Sequence, residues 1–320
     1  MKADLFLGID VGGTKIAGAL VTGQGKILAR LKVPTPRKAS GRKITGLIVK
    51  LCRELTRAGR NKKIAGIGCG IPGMVDSAGG RIIGAPNIAL AGQDIAAKLK
   101  KSFKTKVRLG NDVNCGLLGE RWLGAARGYD HVVGIFPGTG VGGAAIVDGK
   151  LLLGSKGAAT ELGHITIKLN GPRCSCGNHG CLEALAGRWA IERDLRRAVK
   201  DGKKTVITKL AGKNFKTVKS RLLKAALERD DRLVTKIMSR AAVALGAACV
   251  SLRHTFDPQI IVLGGGLIEA CGWFFLPRVK RSVAADPFFK NVSRCKVVPS
   301  RLADDAVILG AVALVKGSSV

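Results

Sequence analysis

Residues 5–21 read Leu-Phe-Leu-Gly-Ile-Asp-Val-Gly-Gly-Thr-Lys-Ile-Ala-Gly-Ala-Leu-Val. Leu5 to Asp10 is an apolar run ending on a carboxylate, which fits a buried strand. Lys15 to Val21 and Lys26 to Val33 read as two more strands, joined by the turn Thr22-Gly23-Gln24-Gly25. The three form a β-meander whose first connection, Asp10-Val11-Gly12-Gly13-Thr14-Lys15, holds two adjacent residues without a Cβ. Bare N–H groups and one hydroxyl can approach an anion closely there. This is not a Walker loop, because no Gly-Lys-Ser/Thr closes it, and not a Rossmann fingerprint, because the third glycine and the following helix are missing. A second turn of the same kind, Gly138-Thr139-Gly140-Val141-Gly142-Gly143, lies between the strand-like runs His131–Phe136 and Gly143–Val147. A third, Gly264-Gly265-Gly266, ends the strand Gln259–Leu263 and precedes a helix, where a base or ribose can lie against flat backbone. Any one of these is explained as a tight reversal. Three in this order point to a polyphosphate chain clamped by the first two and a nucleoside at the third.

Outward from these turns the chain alternates strand and helix. Ile44–Ala58 has helical spacing, Ile64–Ile71 is a glycine-punctuated strand stopped by Pro72-Gly73, and Val107–Leu109 is a short strand. Asp112–Leu123 follows as a helix capped by Asn111 or Asp112, and helices dominate 183–199 and 219–254 before the last one at 304–315. The pattern is α/β, with the domain boundary near Asn111 or Leu123 and a chain of 320 residues long enough for two domains. The longest apolar stretch, residues 241–252, falls short of the roughly 20 residues that span a bilayer, so no membrane span is expected. The first residues lack the form of a signal peptide, and six of the nine cysteines sit singly among apolar neighbours, which fits a reduced, cytoplasmic protein. The 54 basic and 22 acidic residues leave a net charge of +32, dispersed over the chain and without interleaved aromatics. That reads as a basic solvated surface rather than a nucleic-acid site, with a polyanion preference as the alternative.

The densest chemistry lies at residues 161–183. Glu161 and His164 precede Cys174-Ser-Cys176-Gly-Asn-His-Gly-Cys181-Leu-Glu183. His164, Cys174, Cys176 and Cys181 make a complete tetrahedral zinc set, and closed four-ligand sites are structural rather than hydrolytic. Placed between Glu161 and Glu183, such a metal would orient an imidazole and two carboxylates toward a polar ligand. Two carboxylates across a sugar would also suit a glycosidase, but the phosphate-type turns argue against hydrolysis. Asp112, at a strand-to-helix junction, is either a general base projecting from a rigid terminus or a helix N-cap. Asp10, beside the first glycine turn, can hold magnesium through water. Asn111 suits vicinal hydroxyls, and Asn87 after Pro86 either lines the same pocket or only makes a turn.

Taken in order, Asp10 to Lys15, Ile71-Pro72-Gly73-Met74-Val75-Asp76, Pro86-Asn87, Asn111 to Asn114 with Gly119-Glu120, Gly138 to Gly143, Glu161 to His164 and the cysteine cluster through Glu183 resemble the ROK family of sugar kinases, its glucokinase-like members in particular. The resemblance covers nearly the whole chain. It implies a two-lobed actin-like ATPase (ribonuclease H-like) fold with a cleft between the lobes. Residues 1–122 would form the N-terminal lobe, joined by the C-terminal helix at 303–320, and residues 123–302 a larger lobe with the zinc site. It further implies ATP- and magnesium-dependent phosphorylation of a hexose and a homo-oligomer, dimer or tetramer. Asp112 would be the general base. Gly73, Asn87, Asn111, Glu161, His164 and Glu183 would hold the sugar, with His164 bound to zinc through its other nitrogen. Asp10, Gly12, Gly13, Thr14, Lys15, Gly138, Thr139, Gly140, Gly264, Gly265 and Gly266 would hold the nucleotide and its magnesium. Two other readings stand beside this one. The net charge suits a kinase that draws on inorganic polyphosphate. Repressor relatives suggest a sugar-sensing regulator, although the first phosphate turn begins too early for a preceding DNA-binding domain. Residues 93–106 lack an aromatic expected by resemblance, which leaves the choice of sugar open.

Overall fold

Apolar runs of five to eight residues bounded by glycines become the strands. The computed structural model describes residues 4–36, 38–60, 62–76, 80–85, 88–212, 215–292 and 294–317. In chain order the elements are β1 (Leu5–Val11), β2 (Lys15–Thr22), β3 (Ile27–Pro34), α1 (Gly41–Ala58), β4 (Ile64–Ile71), β5 (Met74–Asp76), β6 (Arg81–Gly84), α2 (Ile95–Phe103), β7 (Lys106–Asn111) and α3 (Asp112–Leu123). There follow β8 (Val132–Pro137), β9 (Val141–Val147), β10 (Lys150–Leu151), α4 (Leu182–Ala186), α5 (Arg188–Lys200), α6 (Ile207–Ala211), α7 (Ser220–Leu227), α8 (Arg232–Phe256), β11 (Ile260–Leu263), α9 (Gly266–Ala284), β12 (Lys296–Pro299) and α10 (Ala306–Lys316).

Two five-stranded sheets share one topology. The first runs β3-β2-β1-β4-β7 and the second β10-β9-β8-β11-β12. In each, an antiparallel meander is extended on one side by two parallel strands. The chain divides into two compact units, residues 1–130 with 145–160 and 301–320, and residues 131–144 with 161–300, so the division falls inside β9.

In the first unit β1 is buried on both faces, as a central strand must be when helices cover both sides. One face carries Leu7, Ile9, Ile16 and Ile67 against α1, whose Ile44, Ile48, Leu51 and Leu55 repeat at helical spacing. Ser40 caps α1 through the backbone N–H of Lys43. The other face, Phe6, Ala19 and Val21, meets Ile308, Leu309 and Val312 of α10. Glycines set that approach: a Cβ on Gly68 would lie 1.8 Å from the Ala311 carbonyl oxygen, and one on Gly310 would lie 1.6 Å from the Cys115 oxygen of α3. Glu120, fully buried on α3, accepts from the backbone N–H groups of Ala125 at 2.7 Å, Arg301 at 3.0 Å and Leu302 at 2.8 Å, which ties the segment before α10 to this unit.

The second unit packs α4, α5, α8 and α9 with β8, β11 and β12. The expected helix over 183–199 is broken at Gly187, which follows β/extended backbone and separates α4 from α5. The expected helix over 219–254 is likewise split, because Asp231 caps α8 through the Val234 N–H and is itself held by the Thr205 hydroxyl and the Val206 N–H. At 25 residues α8 has the length and composition to cross a bilayer, which the shorter apolar stretch read from sequence does not. Its Val234, Ile237, Met238, Leu245 and Cys249 are nonetheless buried inside the unit, as in a core helix.

Candidate functional site

In the first unit, Asp10 ends β1 and Asp112 begins α3 directly after β7. The register places Asp10 beside Gly70 of β4, and Gly70 beside Gly110 of β7, so no side chain stands in the row between them. Burial, followed by the charge of Asp112, pushes the Asp10 carboxyl up from 3.8 to about 6. The choice between Asn111 and Asp112 as cap falls to Asn111, whose side-chain oxygen accepts from the Asn114 N–H at 3.0 Å while its amide donates to the Gly73 carbonyl at 3.0 Å. Asp112 is therefore the first residue inside the helix, with one carboxylate oxygen accepting from the Val113 N–H at 2.9 Å. Gly73 has φ +104°, and a Cβ there would lie 2.2 Å from the Gly84 oxygen, so only glycine lets β5 and β6 close beneath Asn111. Asn87 lies outside the described residues.

The first glycine turn is held open by groups the sequence reading passed over. The Thr35 hydroxyl donates to the Gly12 carbonyl at 2.6 Å, and the Thr35 N–H donates to the Thr14 carbonyl. Lys15 is paired with Asp304 at 3.3 Å, and Gly13 and Thr14 are exposed. A buried carboxylate that resists ionisation beside a second carboxylate is relieved by a divalent cation, so Asp10 fits magnesium and the adjacent turn fits its phosphates.

The second unit brings together the other two glycine turns and the cysteine cluster. Gly138 leaves the end of β8, and Gly264 leaves the end of the neighbouring parallel strand β11. A Cβ on Gly265, φ +76°, would lie 2.7 Å from the Pro137 oxygen, and Gly266 opens α9. At the second turn the Gly138 and Thr139 carbonyls accept from the Arg188 and Trp189 N–H groups, and the Arg188 guanidinium donates to the Thr139 hydroxyl at 2.7 Å.

His164, Cys174, Cys176 and Cys181 offer one donor atom each, all within 4.8 Å of one another. Cys176 and Cys181 sulfurs are 3.8 Å apart, and Cys174 sulfur is 3.7 Å from His164 Nδ1. Tetrahedral zinc with its usual bond lengths requires separations of about 3.8 Å and about 3.6 Å, so the donors fit the ion. Burial pushes the Cys181 thiol up to about 12, whereas the Asn178 backbone N–H holds the Cys176 thiol down. The loop is pinned by Cys174 N–H to Asn178 O at 2.7 Å and Leu182 N–H to Ile165 O at 3.0 Å.

Glu183 joins this cluster to the second turn. Its Oε2 accepts from the Val141 N–H at 3.0 Å, and its Oε1 accepts from the Ser175 hydroxyl at 2.9 Å and the Trp189 indole at 3.2 Å. A Cβ on Gly140 would lie 2.1 Å from Oε2, so that glycine is what admits the carboxylate. Glu161 is exposed and its carbonyl accepts from the His164 N–H. Sequence reading missed Ser175, Arg188 and Trp189; the only available signal was their nearness to Glu183 along the chain.

A model of the ROK family matches residues 6–318. A glucokinase of Thermotoga maritima is 36% identical over 312 residues, 97% of this chain and 97% of that one. A xylose repressor of Caldicellulosiruptor bescii is 29% identical over 315 residues, 97% of this chain and 77% of the repressor. A solved ROK family glucokinase from Streptomyces griseus, in complex with glucose and AMPPNP, is similar with a TM-score of 0.82 and 27% identity, covering 98% of this chain and 99% of that one.

Proposed function

This chain belongs to the ROK family and has the actin-like ATPase fold of its structural neighbours, and from that premise we propose that it is an ATP-dependent hexose kinase acting on the 6-hydroxyl of glucose or a close relative. The observation that carries the reading is the pairing of Asp10 with Asp112 while Asn111 takes over the helix cap. Asp112 keeps one oxygen on the Val113 N–H, and a carboxylate at the start of the helix can accept a proton.

Phosphoryl transfer to an alcohol asks for alignment, neutralised charge and a proton acceptor. In the first unit Asp112 takes the proton from the attacking hydroxyl, and Asn111, locked by Asn114 and Gly73, orients the sugar. Asp10 would hold magnesium, and Gly12, Gly13, Thr14 and Lys15 present N–H groups and charge to phosphate. Magnesium, when bound, offsets the negative charge of the transferring group. In the second unit Gly138, Thr139 and Gly140 take phosphate while Gly264, Gly265 and Gly266 lie against the nucleoside. His164, Cys174, Cys176 and Cys181 would hold a structural zinc, which would fix the His164 ring and leave its Nε2 to meet a sugar hydroxyl beside Glu161. Glu183 Oε1 accepts from Ser175 and Trp189 and faces the Cys174 sulfur at 4.0 Å, whereas Oε2 accepts from Val141 alone and can take a hydroxyl as well. Glucose is favoured because it is the substrate named for the similar kinases.

ADP release by the purified protein with magnesium and ATP, across glucose, mannose, fructose, N-acetylglucosamine and N-acetylmannosamine, tests this. Saturable turnover with one of them is expected. Sugar binding without turnover would favour the regulatory reading, which the similarity to a xylose repressor supports. Turnover with polyphosphate alone would change the donor.

A further inference from the structure

The second unit has a groove that shares no residue with the glycine turns or the metal ligands. It lies between α5 and α8 and encloses about 810 Å³. From α5 come Arg193 and Arg197, one helical turn apart; from α8 come Arg232, Lys236 and Arg240, at successive turns of one face. Pro172, Leu185, Leu233 and Ile237 supply apolar surface. A neighbouring cavity of about 1050 Å³ lies along the other side of α5, lined by Arg196, Lys200, Lys209 and Lys216, and Lys203 and Lys204 belong to both.

The acids in this lining do not neutralise it. Asp194 is taken by Arg193 at 2.8 Å, and Asp201 is the other. Among the described residues, Arg197, Arg232, Lys236 and Arg240 make no ion pair. Like charges at successive turns destabilise a helix, and two such rows facing one groove repel one another. An anion with charge repeated along its length would relieve both rows at once. Among the described residues no aromatic lines the first cavity, and Phe215 of the second is buried, so bases would find no exposed stacking platform. A thin chain of phosphates without bases suits the space and can pass from one cavity to the other beside Lys203 and Lys204.

We propose that the groove between α5 and α8 is a second anion site that binds linear inorganic polyphosphate, separate from the turns that serve phosphoryl transfer. It does not depend on the kinase reading.

The test measures binding of end-labelled long-chain polyphosphate to the full chain at about 0.15 M salt. The groove variant is Arg197→Glu with Arg232→Glu and Lys236→Glu. A control with the same change in charge carries Arg53→Glu, Lys98→Glu and Lys101→Glu, all exposed residues of the first unit. The expected result is a loss of at least about 10-fold in affinity for the groove variant and less than about 2-fold for the control, with ATP-dependent turnover unchanged in both. Should the triple variant not fold, Arg197→Gln with Lys236→Gln is expected to lose about 3-fold or more. Equal losses in groove variant and control would mean a diffuse field and overturn the site. So would undetectable binding by the unaltered protein, displacement of polyphosphate by saturating ATP, or a groove variant that loses duplex DNA while keeping polyphosphate.

Discussion

At the scale of single residues, the roles proposed for Asp112 and Asp10 can be told apart. Asp112→Asn keeps a residue of the same size at the start of α3 but cannot accept a proton. Its kcat is expected to fall by about 100-fold or more while the sugar Kd from calorimetry stays within about 2-fold. Asp10 gives the opposite signature in stability. Its carboxyl ionises near 3.8 in the unfolded chain and near 6 in the fold, so the folded state binds the proton more tightly. Metal-free protein should therefore lose stability as pH rises from about 4 to about 6, by an order of 3 kcal/mol, and level off above. Asp10→Asn should flatten that slope in urea titrations and raise Tm at pH 7 while turnover is lost. Much of this was legible beforehand: strand-ending Asp10, the glycine turn and the Asn111-Asp112 junction stand in the sequence. Which of the last two caps the helix was not, because the answer depends on Gly73, 38 residues away, accepting the Asn111 amide. The partners of Glu183 were hidden for the same reason, since Val141 lies 42 residues from it.

At the scale of elements, the cysteine loop and the α3–α10 pair carry the clearest expectations. Cys176→Ser removes one of four donors, and the purified variant should lose stoichiometric zinc by atomic absorption. Because that ion would fix the His164 ring and the cysteine loop, sugar affinity should weaken by about 10-fold. Unchanged zinc content would remove the metal from the reading. In the α3–α10 contact, Gly310→Ala forces a methyl onto the Cys115 carbonyl, and a loss of about 3 kcal/mol in denaturant titrations is expected, since backbone cannot move aside as a side chain can. The elements themselves followed their sequence patterns unevenly. β4 matches its expected limits, Ile64 to Ile71, since glycine and proline bound it. The hairpin of β5 and β6 went unread because three- and four-residue strands carry no periodicity. The split at Gly187 escaped because the apolar spacing on either side stays in phase, and only the contact of Gly187 with Glu183 and Gly140 gives the break its purpose.

At the scale of the whole molecule, charge and topology set the terms. A net charge of +32 on 320 residues repels itself, and screening should stabilise the fold. Raising sodium chloride from about 0.02 M to about 0.3 M is expected to lift Tm by roughly 3 °C or more, and no change would mean that the excess is already neutralised locally. The repeated sheet order had only a partial sign in the sequence, two meanders each interrupted by a glycine turn, because the residues filling the two sheets differ. The position of α10 has a further consequence for how the protein comes into being. The first unit is begun by residues 5–34 but closed by residues 306–316, with all of the second unit lying between them along the chain. A ribosome delivers those closing residues after every other described strand and helix. Until they emerge, Phe6, Ala19 and Val21 lack the cover of Ile308, Leu309 and Val312, and Gly8, Gly68 and Gly119 lack the backbone they approach. The unit begun first is thus the one closed last, and until residues 306–316 emerge one side of its central sheet has only partial cover, from residues such as Trp122 and Leu123.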